Sequence, residues 1–253
     1  MEVVIRHTAA EVAEVAADIL AGYIRPGGVL GVATGSTPIA TYHELIARHG
    51  RGELSAEGVE FFALDEYVGL DHDHPQSYYR TLRDELIDPL EVDPEHLHVP
   101  DGTADPHKAG GIYEEQILAA GGIDCQLLGV GVNGHIGFNE PTSSLNSVTR
   151  LKTLHPQTVK DNARFFDSAE EVPRHVLTQG LGTIQRAGRL LLIATGANKA
   201  DAVAKLVEGP LSAACPASIL QWHPHATVVV DEEAAAGLAN REYYEFAEAN
   251  KPE

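Results

Sequence analysis

The sequence predicts an α/β fold, a doubly wound, mainly parallel sheet with helices on both faces. Three observations carry this. Apolar runs of strand length recur at residues 29–33, 59–64, 125–130, 190–194 and 227–230. Stretches with helical spacing, at 39–48, 76–87 and 106–119, lie between them. The runs are apolar throughout rather than alternating, so each strand needs cover on both faces, which intervening helices supply.

At 253 residues the chain suits one wide α/β domain over 1–253. It carries no long linker, low-complexity tract or fixed-period repeat, and the Pro- and His-bearing stretch 88–106 reads as a surface connection. The amino-terminal residues have scattered acids and lack the basic start and apolar core of a secretory signal, and no segment approaches a membrane span. The expected place is the cytoplasm. Cys125 and Cys215 are far apart in apolar or small-residue surroundings, which predicts reduced structural thiols.

Thirty-seven acids against eighteen Lys and Arg give a formal charge of −19. That field repels nucleic acid and anionic membrane and argues against both as partners. An anionic substrate would need a local positive potential, built from backbone N–H groups and a few basic side chains.

The first strand–loop–helix unit supplies one. In Ala33-Thr34-Gly35-Ser36-Thr37-Pro38, Gly35 permits close backbone approach, Ser36 or Thr37 can cap, and Pro38 suits a first helical turn. A capped turn without ligand explains the loop equally well. A second loop, Thr195-Gly196-Ala197-Asn198-Lys199, again follows an apolar strand and adds a lysine. In an open parallel sheet both lie outside the carboxyl ends of strands, where ligands gather.

After the 59–64 run come Asp65 and Glu66. Burial at a strand end would raise a carboxyl pKa and make it a competent base, with capping of the next segment as the competing explanation. The richest stretch is Gly129-Val130-Gly131-Val132-Asn133-Gly134-His135-Ile136-Gly137-Phe138-Asn139-Glu140-Pro141, where glycines turn the backbone around one histidine with an acid nearby. A histidine exchanges protons near neutral pH, and a carboxylate can orient it. Asp71-His72-Asp73-His74 reads as a solvated loop rather than a metal cluster, and Trp222, His223 and His225 as packing or loop closure.

Taken in order, ATGSTP, LDEYVGL, HPQSYY, GHIGFNEP, NARFF and ANKADAV resemble the glucosamine-6-phosphate deaminase family across almost the whole chain. The resemblance implies that Asp65 moves a proton between C2 and C1 of an amino-sugar phosphate, while His135, assisted by Glu140, opens the pyranose ring. It also implies that Gly35, Ser36, Thr37, Arg164 and Lys199 hold the phosphate, with Arg164 on a mobile cover around 154–174. Neither metal nor organic cofactor is implied. Some relatives have Asp where this chain has Asn133, which is expected to orient His135 by hydrogen bonding. Ser144, Arg150 and Lys152 match positions that bind an acetylated amino-sugar phosphate between subunits in allosteric relatives, so a homo-oligomer is compatible with the pattern. The alternatives are a 6-phosphogluconolactonase-like hydrolase, which is not expected to carry LDEYVGL with GHIGFNEP, and a non-catalytic sugar-phosphate sensor, which has no need of Asp65, His135 and Glu140 together.

Overall fold

The structure, a computed structural model, describes residues 1–154, 159, 163, 166, 168 and 171–251. Most of the expected cover, Arg164 included, lies outside the described residues. The chain opens with β1 (Glu2–Arg6) and α1 (Ala9–Ala21). Thr8 and Glu11 form a reciprocal capping box at the start of α1, and Val12, Ala13, Ala16, Ala17 and Leu20 make its buried stripe. β2 (Val29–Val32), α2 (Ser36–Gly50) and β3 (Glu60–Ala63) follow.

Seven parallel strands form the main sheet. They are β1, β2, β3, β5 (Leu97–His98), β6 (Cys125–Leu128), β9 (Arg189–Ala194) and β10 (Ala226–Asp231), in spatial order β1-β10-β9-β6-β2-β3-β5. Its two faces carry separate cores. Leu128, Leu190, Leu192, Val228 and Val230 pack on one side with Tyr113 and Ile117 of α4 (Pro106–Ala119). Leu127, Leu191, Ile193 and Val229 pack on the other with Leu20, Tyr42 and Leu45. Each fully buried aliphatic side chain contributes about 1.5–3 kcal/mol, which is why these strands read as unbroken apolar runs.

Two details depart from the sequence reading. The helix expected over 76–87 is an α-helical turn, α3 (Tyr78–Leu82), that widens into a π-helical turn over Arg83–Ile87. The surface connection 88–106 contains β5, a two-residue edge strand on β3 held by Glu60, whose carboxylate bonds His96 Nδ1 at 2.9 Å and His98 Nε2 at 2.6 Å.

A second, antiparallel sheet was not predicted. It consists of β4 (Asp65–Tyr67), β8 (His175–Thr178) and β7 (Arg150–Thr153), in the order β4-β8-β7. One residue, Leu64, separates β3 from β4, and its backbone bonds Val32 in the main sheet and Gln179 just beyond β8. The small sheet therefore starts where β3 stops. Beside it lies the switch point, since β2 hands the chain to β3 on one side and β6 leads to β9 on the other. Outside their carboxyl ends a crevice is expected.

Candidate active site

The change of sheet at Leu64 sets the acids that follow it. Successive residues of a strand point to opposite faces, so Asp65 and Glu66 part company. Asp65 is 5% exposed. Burial, and then the neighbouring Glu66 charge, hold its carboxyl well above the usual carboxylate range, and among the described residues no hydrogen bond reaches it. Glu66 is the capping acid: its carboxylate accepts the backbone N–H groups of Tyr67 at 2.7 Å, Tyr78 at 3.0 Å and Tyr79 at 2.8 Å. The cap reading of this acid pair thus falls on Glu66.

The glycine-rich loop follows β6. Its Gly134, at φ 83°, takes a conformation that L side chains avoid. Gly131 is required for another reason, because a Cβ there would lie 2.2 Å from the His135 ring. The loop is pinned to β8 and its exit: Asn139 Nδ2 donates to Gln179 O at 2.8 Å, and Phe138 N–H to Thr178 Oγ1 at 3.1 Å.

On this platform Asn133 bridges the other two candidates. Its Nδ2 donates to Glu140 Oε2 at 2.7 Å, and its Oδ1 meets His135 Nδ1 at 2.6 Å and the His135 backbone N–H at 3.2 Å. Glu140 Oε2 itself is 3.6 Å from His135 Nδ1. A carboxylate only accepts, so the amide must turn its NH2 to Glu140 and its oxygen to His135. His135 Nδ1 is then the protonated nitrogen. Nε2 makes no hydrogen bond among the described residues.

The two glycine loops are built alike and serve differently. Gly35 (φ 97°, ψ 178°) and Gly196 (φ 88°, ψ 150°) occupy a region essentially reserved for glycine. Helix α2 then begins with no side-chain cap and no acid in its first turn, so its leading N–H groups and positive dipole end face outward. In the second loop the donors are taken. Gly196 N–H points at both oxygens of Asp231 (3.0 and 2.9 Å), and Ala197 N–H at Glu233 (3.2 Å). That loop's offering is Lys199, which has no acid partner among the described residues and whose pKa is lowered by partial burial. Ser36, Thr37, Thr195, Asn198 and Lys199 line one cleft of about 340 Å³. Asp65, His135 and Glu140 are not among its walls.

Arg150 and Lys152, two apart on β7, share a face of the small sheet, while Ser144 is exposed in the turn after the histidine loop. Arg150 lies opposite Thr178, which lies opposite Asp65. The arginine is half-buried without an acid partner among the described residues, and burial lowers its pKa. Asp231 and Gln179 were missed from sequence. Asp231 ends an apolar strand as Asp65 follows one, a signal that was available; Gln179 acts only through the tertiary fold, giving its Nε2 to Ala63 O at 3.1 Å. Both cysteines are buried thiols, with Cys125 pushed up to about 12 by burial. Among the described residues no group of three or more His, Cys, Asp or Glu could hold a metal ion, and no helix is long and apolar enough to cross a membrane.

Known proteins resemble the chain in sequence and in fold. Residues 1–230 match the family model described as glucosamine-6-phosphate isomerases/6-phosphogluconolactonase. A glucosamine-6-phosphate deaminase of Corynebacterium kroppenstedtii is 63% identical over 254 residues, covering 100% of this chain and 98% of the relative. One from Rhodococcus opacus is 54% identical with the same coverage. Among solved structures, a monomeric glucosamine-6-phosphate deaminase superposes with a TM-score of 0.91 at 42% identity, covering 94% of this chain and 100% of that one. A 6-phosphogluconolactonase from Trypanosoma cruzi reaches 0.76 at 20% identity, over 94% of this chain and 97% of the other, a likeness of fold alone. Matched nearly end to end by relatives more than half identical to it, the chain belongs to the glucosamine-6-phosphate deaminase family.

Proposed function

We propose that this enzyme converts glucosamine 6-phosphate and water to fructose 6-phosphate and ammonia, and the observation that carries the reading is the buried carboxylate of Asp65, without a hydrogen bond among the described residues, in a fold that also orients His135 through Asn133 and Glu140. Each group has one task. His135 Nε2 takes the proton of the C1 hydroxyl and returns one to the ring oxygen, opening the pyranose to an aldehyde, while Glu140 and Asn133 steady the imidazolium formed in between. The aldehyde acidifies the C2 hydrogen. Asp65 removes it and delivers a proton to C1, which turns the C1–C2 enol and C2 amine into a C2 imine; water adds to that imine and ammonia leaves. Desolvation strengthens Asp65 as a base, because its charged form gains little from its surroundings.

The phosphate is assigned to Gly35, Ser36 and Thr37 at the start of α2, with Lys199 as counter-charge and Arg164 as a further contact. A homo-oligomer in which Ser144, Arg150 and Lys152 hold N-acetylglucosamine 6-phosphate is the regulatory part of the proposal. Its support is the desolvated Arg150, without an acid partner among the described residues, on the same sheet rung as Asp65.

The decisive assay is ammonia and fructose 6-phosphate release from glucosamine 6-phosphate by the purified protein. Hydrolysis of 6-phosphogluconolactone without ammonia release would overturn the reading.

A further inference from the structure

The reaction above uses Asp65 and leaves Glu66 without a task. Yet Glu66 is 1% exposed and is the more firmly held of the two acids, with three backbone N–H groups on its carboxylate. Two of those donors, Tyr78 and Tyr79, are the first residues of α3, whose N-cap is already Ser77, its hydroxyl taking Arg80 N–H at 3.0 Å. A five-residue helix with a serine cap does not by itself call for a second, desolvated carboxylate behind it.

We propose that Glu66 is a positioning residue for the proton transfer: its buried carboxylate ties the start of α3 to β4 and holds a negative charge on the strand residue next to Asp65. The inference rests on Asp65 being the base. Three N–H bonds favour the Glu66 anion while burial opposes it, and the balance leaves its pKa at about 7. A like charge next to a buried carboxylate makes that carboxylate a stronger base, and a stronger base removes a carbon-bound proton faster.

The titratable groups around the pair are Tyr67 on β4, Tyr78 and Tyr79 on α3 and Tyr113 on α4. β8 presents the neutral Thr178 and Leu177 in register with the two acids. On β7, Arg150 stands beyond Thr178 on the same rung as Asp65, and among the described residues no basic group forms an ion pair with either acid.

The test is the pH profile of kcat/KM in Glu66→Gln. Removing the charge should move the acid limb to lower pH and reduce the plateau kcat by roughly tenfold. Ser77→Ala, which weakens the α3 cap and leaves the charge in place, should lower Tm without moving the limb. An unmoved limb in Glu66→Gln, or equal movement in Ser77→Ala, would show that Glu66 is only a cap. The unaltered enzyme offers a second measurement that needs no variant: the Asp65 carboxyl carbon, followed by NMR against pH, should show a second inflection from Glu66. A single inflection overturns the proposal. Exchange of the C2 proton with deuterium in Asp65→Asn separates the two readings, since persistent exchange would remove Asp65 as the base whatever Glu66 does.

Discussion

The main sheet and the small sheet beside it are built on opposite terms. In the former, β9 and β10 are buried on both faces and their side chains find apolar neighbours in two cores. In the latter, three short strands hold a desolvated Asp65 and a half-buried Arg150 without opposite charges among the described residues. The first arrangement lowers the free energy of the folded chain and the second raises it. The main sheet provides the stability that tolerates these charges, and perturbed groups of this kind cluster at functional sites.

Substitution of Asp65 should divide the two terms most sharply. Asp65→Asn should reduce kcat by about a thousandfold or more while KM changes little. It should also raise Tm. A carboxyl whose folded pKa lies above its unfolded value contributes stability at low pH and loses it as pH climbs through the folded value, so near neutrality the neutral amide is the better buried group. Ammonia release and a thermal melt at pH 7 and above check both halves.

The opposite outcome is expected in the main sheet. Leu191 on β9 is fully buried, and Leu191→Ala should destabilise the fold by roughly 2–5 kcal/mol. Activity per folded molecule should hold, as urea melts and active-site titration would show.

Lys199→Ala is next in size. Loss of a charge-assisted contact should raise KM about tenfold to a hundredfold with kcat nearly unchanged, and thermal stability should not fall, because the half-buried lysine has no acid partner among the described residues. A loss confined to kcat would contradict the phosphate role.

The smallest effect belongs to Arg150→Ala. If β7 carries a regulatory site, N-acetylglucosamine 6-phosphate should improve the apparent affinity for substrate by about fivefold or more in the unaltered enzyme and leave the variant unmoved. Hyperbolic kinetics indifferent to the acetylated sugar would reduce the comparison to one between core and catalytic centre.

These contrasts also show what was legible beforehand. The runs at 125–130, 190–194 and 227–230 announced β6, β9 and β10, since a strand covered on both faces must be apolar at every position. Gly35, Gly196 and the His135 loop were visible because a backbone that turns through glycine-only conformations leaves a mark in composition. β4, β7 and β8 left none: each is three or four residues long, and β7 is only partly buried, so no periodic pattern forms. The capping box of α1, by contrast, was written in Thr8 and Glu11 and went unread.

Residue types at strand ends and in loops, which local sequence determines, were enough to nominate the pair Asp65 and Glu66, His135 with Glu140, and Lys199, while the family resemblance singled out Asp65. Only the tertiary structure decided which carboxylate is spoken for. Leu64 passes the chain from one sheet to the other, and that step turns Glu66 onto the N–H groups of α3 and leaves the Asp65 carboxyl without a hydrogen bond among the described residues. It likewise gave the donors of Gly196 and Ala197 to Asp231 and Glu233, from strand and turn residues 35 and 36 positions away. Hydrogen bonds between such distant residues depend on which strands lie side by side, here β9 and β10, and local sequence pattern does not encode that pairing.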